Sequence, residues 1–440
     1  MSRNLAGNDS QCGPHHDQLS VLGEELLVQV FEALGSISTS DLCNVSRLNK
    51  MYHRLADLVL YRRIQFNTPE FHLVFSESLD RRPRRGSAIQ AITLTYPSSE
   101  LSRLILQQAP GYGSHHAPSR IDTLSLSLST MSNLATLDVS VPDTLLHGIG
   151  TLFNGPFDLA CLKSCTLFYQ CKDDQYWDLH ENIHIFAHPV LESLVIKRAK
   201  LDIRGFDSIE RPHQTALKKL HLIECDINDD ALSDILEFPD GLVEFAMTQT
   251  PEPHPELEES SDNIGDYITA LKSQGHSLET ITIDFQALTG LKSLRMRDFE
   301  TLKRLCINWD YQLFGKSSTK PRMHSVGLPP NMETLEFFNE LGTDSGVTEL
   351  LVSAIESRDV LSRRWQTMVV VANDDGEVPR DIVEACKLKG LQLDIIGHFD
   401  SDAETEPECE SGMDRKEAKN GVDMVSEESR FDLIHRESPK

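Results

Sequence analysis

No stretch of these 440 residues approaches the ~18 consecutive apolar residues that a membrane-crossing helix needs. Positive charge is also short. Against 68 Asp and Glu stand 42 Lys and Arg, and the net charge of −26 argues against nucleic acid or an anionic membrane as the main partner. The opening "MSRNLAGNDSQCGPHHDQ" lacks the apolar segment of a secretory signal. Nine irregularly spaced cysteines therefore point to reduced thiols and to a cytoplasmic or nuclear protein. Cys161, Cys165 and Cys171 are clustered, but no second pair at metal-site spacing completes a ligand set, so ordinary thiols are expected. There is no Gly-rich phosphate loop and no G-x-S-x-G elbow, hence no expected cofactor. What is present is globular: 39% hydrophobic and 25% charged residues, with length for about two or three domains or one long repeat array.

Residues 19–64 read "LSVLGEELLVQVFEALGSISTSDLCNVSRLNKMYHRLADLVLYRRI". Leu26, Leu27, Val30, Phe31 and Leu34 fall on one broad apolar face of a helix. Glu24 and Glu25 suit its first turn, and Gly35 is placed to end it. A second helix follows, capped by Ser38 with Asp41 three residues on, and carrying Leu42, Val45, Leu48, Tyr52 and Leu55. Two short helices with more apolar surface than about 45 residues can bury should seek a partner surface, unless they pack only against the rest of this chain.

This stretch resembles the F-box. The family has an opening Leu-Pro, then E-L-L with two further apolar positions, a short loop, D-L, and an aromatic residue before L-A. Here stand Leu22-Gly23, "EELLVQVFEAL", "SDLCNVSRLNKMYHRLA" and "LYRRI". The resemblance implies docking on the adaptor subunit of an SCF ubiquitin ligase and, through it, on the cullin. The positions it carries over are Leu22, Leu26, Val30, Leu34, Leu42, Val45, Leu48 and Tyr52. Gly23 replaces the usual proline, which loosens the helix entry by ~0.4–1 kcal/mol. Asn49 stands where cysteine is common.

Behind it one pattern recurs: an apolar residue, two variable residues, then apolar-x-apolar. It runs "IQAITL" (89), "IDTLSL" (121), "LATLDV" (134), "LKSCTL" (162), "LESLVI" (191), "LKKLHL" (217) and "LVEFAM" (242), then "LETITI" (278), "LKRLCI" (302), "METLEF" (332) and "WQTMVV" (365). Each reads as a short half-buried strand, although the close 121/134 pair leaves open whether both are independent repeats. "LKSLRM" (291) lies too near 302 and reads as a connecting turn. "LKKLHLIECDI" (217–227) matches the leucine-rich-repeat consensus L-x-x-L-x-L-x-x-C-x-I. The expected fold is therefore α/β: an N-terminal helical F-box, then an irregular leucine-rich-repeat solenoid with a parallel sheet. The array resembles fungal F-box/leucine-rich-repeat proteins. The residues between the strand leucines should point outward on the concave side: Thr123, Ser125, Thr136, Asp138, Ser193, Lys219, His221, Glu244, Thr280, Arg304 and Glu336. So mixed a surface suits recognition of a target protein, with Lys219, His221, Glu244, Arg304 and Glu336 as candidate contacts; the alternative is a merely solvated face.

"HENIH" (180–184) matches the H-E-x-x-H of zinc peptidases, in which two histidines one helical turn apart hold the metal and the glutamate is the base. Its context, between the strands at 162 and 191, makes it the connecting helix of a repeat, ended by Pro189. His188 and Glu192 are poorly placed as third ligands. Neither metal nor catalysis is expected. "RRPRR" (81–85) reads as a solvated linker, or as an import signal or phosphate-binding patch. Residues 250–266 read as an acidic exposed loop. The expected layout is a disordered 1–18, an F-box over 19–65, a linker over 66–88, repeats over 89–399 and a disordered tail over 400–440 with 13 acidic and 6 basic residues. The function expected is that of a non-catalytic substrate receptor of an SCF-type ligase; an adaptor-bound scaffold without a degradative role and a zinc hydrolase are the alternatives.

Overall fold

The computed structural model describes residues 22–66, 75, 77–79, 81–95, 122–143, 149–153, 159–171, 175–202, 206, 214–249, 261–285, 288, 290, 294–308, 316–317, 320–321, 327–341, 345–373 and 377–396. The expectations for 1–18, for 250–260 and for the tail lie outside them.

The chain opens on α1 (Glu24–Ile37), α2 (Thr39–Val45) and α3 (Lys50–Leu60). Two helices were expected over this stretch, but the second is interrupted and restarted. Ser38 Oγ accepts from the Asp41 amide at 3.2 Å and caps α2. Asn49 Oδ1 accepts from the Tyr52 amide at 2.7 Å and caps α3, which is what an asparagine does at that position. Gly35 does not end the first helix. It lies inside α1, where a Cβ would come within 3.0 Å of Leu42 Cδ2, so its smallness lets α2 approach closely. Gly23 precedes α1 with φ −61°, a backbone that proline would share. Leu27, Phe31, Leu42, Tyr52, Leu55 and Ala56 form a core belonging to this module alone. Phe31 and Tyr52 meet edge to face at its centre, ring centroids 5.5 Å apart.

The strands are β1 (Arg63–Phe66), β2 (Ala91–Thr95), β3 (Thr136–Pro142), β4 (Ser164–Gln170), β5 (Trp177–Asp178), β6 (Ser193–Lys197), β7 (Ala199–Leu201), β8 (Lys219–Ile223), β9 (Asp226–Ile227), β10 (Glu244–Thr248), β11 (Thr280–Asp284), β12 (Arg304–Ile307), β13 (Lys316–Ser317), β14 (Lys320–Pro321), β15 (Thr334–Glu340), β16 (Thr367–Val371) and β17 (Gln392–Ile396). Twelve of them make one sheet in the order β1-β2-β3-β4-β6-β8-β10-β11-β12-β15-β16-β17. Every pair in it is parallel. The protein is thus α/β, with N-terminal helices and a long parallel sheet of leucine-rich-repeat type.

The registers show why the repeats stack. Ile92, Leu137, Cys165, Leu194, Leu220, Phe245, Ile281, Leu305, Leu335 and Met368 align across successive strands, all buried, as one continuous inward row. No strand could bury its share alone, and each repeat supplies the cover for the next. A second small parallel sheet, β5-β7-β9, follows the turn after the main strands. There Cys225, the cysteine of the repeat consensus, places its Sγ 3.5 Å from the Ala199 amide and 3.4 Å from the Ile196 carbonyl of the preceding repeat. On the convex side, helices such as Asp229–Ile235, Ile264–Leu271, Ser345–Glu356 and Arg380–Lys389 close the core. The last ends at Gly390 in left-handed backbone, φ 62°.

Two readings of the sequence are corrected. "IDTLSL" is not a strand, because Asp122–Ser129 is an α-helix leading into β3, so Thr123 and Ser125 are not positions of the sheet. The sheet also begins earlier than residue 89: β1 pairs in register with β2, Arg63 opposite Ala91 and Phe66 opposite Leu94.

Candidate binding surfaces

The residues of the N-terminal module divide into two groups. Leu42 and Tyr52, expected to touch an adaptor, point into the module's own core at 1% and 2% exposure and cannot be contacts. Leu22, Leu34 and Val45 are half-buried against that core. Leu26, Val30 and Leu48 are exposed, at 52%, 40% and 69%. Leu26 and Val30 are one turn apart on α1, and Ile37, which the sequence reading did not single out, extends the same stripe at 84% exposure. Because α1 turns its Leu27–Phe31 face inward, the stripe lies open along the outside of the helix.

This module is fixed to the sheet. Arg62, in the turn between α3 and β1, pairs with Glu32 of α1, and its Nε donates to Gln90 Oε1 at 2.8 Å. The Gln90 amide in turn donates to the Arg62 carbonyl at 2.9 Å. Arg85 of the basic run is 17% exposed and grips the Asp57 carboxylate with Nε at 3.2 Å and Nη2 at 3.1 Å. Its Nη1 donates to Ser78 Oγ at 3.1 Å, and its guanidinium lies 4.5 Å from the Tyr61 ring centroid. This arginine is a structural clamp and not part of a solvated linker.

On the polar face of the sheet the candidate target contacts turn out to satisfy one another. Glu244 on β10 accepts from Lys219 Nζ at 2.8 Å and lies 2.9 Å from His221 Nε2, both on the neighbouring β8. Those contacts, the His221 hydrogen bond foremost, hold the Glu244 carboxyl down at about 2. Arg304 on β12 reaches across to Glu336 on β15, its Nε at 3.2 Å, and Glu336 is only 8% exposed. Cys306 Sγ lies 3.5 Å from the same carboxylate, and burial first, then that charge, pushes its thiol up to about 12. Burial likewise raises Cys225 to about 12, so neither is a ready nucleophile.

The Glu244 cluster has a pH consequence. A depressed carboxyl contributes stability above the ordinary value of 4.5 and loses it as pH falls toward about 2. Across that window Glu244→Gln should remove about 2 kcal/mol of the acid-induced loss of stability, less than the full shift implies because the group is partly solvated. Urea melts of both proteins at about pH 5 and about pH 3 would test it. Parallel loss of stability in the two would refute the assignment.

HENIH lies on the 3₁₀ helix Leu179–Ala187, which is capped by Asp178, whose Oδ1 accepts from the His180 amide at 3.0 Å. With about three residues per turn, positions i and i+4 are offset by about 120°, so His180 and His184 do not share a face as an α-helix would make them. Asn182, Ile183, Ile185 and Phe186 are buried there. Gly150 packs so tightly that a Cβ would lie 2.6 Å from the Glu181 carbonyl oxygen. Burial, with His180 adding to it, pushes the half-buried His184 below the ordinary imidazole value. Among the described residues no group of three or more His, Cys, Asp or Glu is placed to hold a metal ion. Among them also, no helix is long and apolar enough to cross a membrane.

No protein-family model matches the chain, and no curated protein matches its sequence significantly.

Proposed function

We propose that the chain is the substrate-recognition subunit of an SCF-type cullin–RING ubiquitin ligase, with an F-box at its front and the solenoid as its target-binding part. The observation that carries this reading is the open apolar stripe Leu26–Val30–Ile37 on a module that already has a closed core of its own. An apolar stripe left over after the core is complete is surface for another protein. The resemblance of residues 22–64 to the F-box names the adaptor as that protein. In this role no residue performs chemistry. Arg62 and Arg85 tie the module to the start of the sheet, so a target bound on the sheet is carried with the adaptor-bound module toward the charged ubiquitin carrier, and the gain is proximity. The polar face of the sheet is the target-binding surface. Its charges are largely paired across strands, so neutral groups such as Thr136, Ser193, Thr280 and Thr334 dominate what a target meets.

Affinity purification of the full chain from cells, followed by mass spectrometry, tests the proposal. Adaptor and cullin together are expected. Adaptor without cullin would favour the scaffold role, and recovery of neither would sink both.

A further inference from the structure

The densest positive charge in this acidic protein is the run RRPRR at 81–85, and it lies beside a cleft. A cavity of ≈ 470 Å³ opens between α3 and residues 81–88, walled by Leu58, Tyr61 and the side chains of Arg54, Arg81, Arg82 and Arg85. A second cavity of ≈ 250 Å³ shares Leu58 and Ala88 with it and is otherwise lined by Val28, Val59, Ser87, Gln90 and the Arg62–Glu32 pair. The two adjoin through these shared residues, and Leu58, 47% exposed, stands between them.

The arginines differ in what they are free to do. Arg85 is spent on Asp57, Ser78 and Tyr61. Arg54 pairs with Glu24, but the two side chains are 60% and 56% exposed. Arg81 lies 3.7 Å from Glu77, with both side chains more than 70% exposed. Exposed pairs of this kind hold weakly and exchange readily for a better partner. Arg82 has no ion pair among the described residues. Three guanidinium groups thus rim one cavity with little to hold them elsewhere, and guanidinium forks match carboxylates bidentately.

We propose that this cleft is a second docking site, which takes an extended acidic segment of a partner protein. An acidic side chain enters the arginine-rimmed cavity and a neighbouring apolar side chain lies over Leu58 toward Val28 and Val59. Charge complementarity selects the occupant: an arginine-rimmed cleft on a chain of net charge −26 attracts a short acidic segment, while a long nucleic-acid polyanion is repelled by the rest of the surface.

The test uses the full chain and a fluorescent peptide Gly-Ser-Glu-Leu-Glu-Ser-Gly, read by anisotropy. Binding at low salt is expected, weakening as salt shortens the range of the charges. The doubly substituted variant Arg81→Glu with Arg82→Glu, which changes only exposed side chains, should bind about tenfold or more weakly. Leu58→Ser should weaken binding without changing its salt dependence. The lysine counterpart, Gly-Ser-Lys-Leu-Lys-Ser-Gly, should not bind. Absence of peptide binding, equal binding by the arginine variant with unchanged circular dichroism, or preference for a single-stranded oligonucleotide would each overturn the proposal.

Discussion

Replacing both Leu26 and Val30 by aspartate should abolish adaptor capture while leaving the protein folded. Both side chains lie outside the module's core, at 52% and 40% exposure, so the unbound protein tolerates a charge at either position. In a complex each aspartate would be buried without a partner, at a cost of several kcal/mol. Since about 1.4 kcal/mol is a factor of ten, the pair should take the affinity down by three orders of magnitude or more. Leu42→Asp provides the contrast. Leu42 is 1% exposed and closes the module from within, so that change should melt the three helices instead of removing a contact. Pull-down of the adaptor together with circular dichroism separates the two effects. A folded Leu26→Asp, Val30→Asp protein that still captures the adaptor at the unmodified level would remove the F-box reading.

That contrast also marks what the sequence could say about the front module. Apolar spacing identified the helices but not which of two adjacent apolar residues turns inward. Leu26 and Leu27 are equivalent in the sequence, and only the packing of α2 and α3 against α1 assigns Leu27 to the core. The repeats were legible because the strand leucines recur with one spacing and stack in register, so the same pattern carries both local and long-range structure. The pattern failed where it was degenerate. "IDTLSL" alternates like a strand, yet Leu124 and Leu128 are also one helical turn apart, and the helix won. β1 was missed because "RIQF" is four residues long and buries only Phe66.

The polar face was the least legible part. Lys219 and His221 lie 25 and 23 positions before Glu244 in the chain, and Arg304 lies 32 before Glu336. Nothing local in the sequence says that they neutralise one another across adjacent strands. Once paired, they organise the sheet and leave less free charge for a target than their number suggests. The basic run had the opposite history: it reads as linker, yet Arg85 is a half-buried clamp and its neighbours rim a cleft.

The stacked architecture makes a second large effect predictable, in Leu220→Ala. Leu220 is fully buried in the middle of the inward row, between Leu194 on β6 and Phe245 on β10. Truncation removes its own contacts and leaves a cavity that neither neighbouring strand can collapse into without breaking its own register. Such a change costs ~2–5 kcal/mol. In a nearly one-dimensional array the loss falls on two interfaces at once, so urea denaturation should shift strongly and amide exchange should accelerate in the repeats on both sides. Leu393→Ala is the comparison, because β17 is the terminal strand, Leu393 is only partly buried, and one interface is affected. Its effect should be smaller and confined to the C-terminal repeat. The helical module has its own core, so Leu220→Ala should still capture the adaptor while target binding is lost. Equal destabilisation by the two substitutions, with exchange rising uniformly along the chain, would mean that the solenoid unfolds as a single block and that its middle is no more critical than its end.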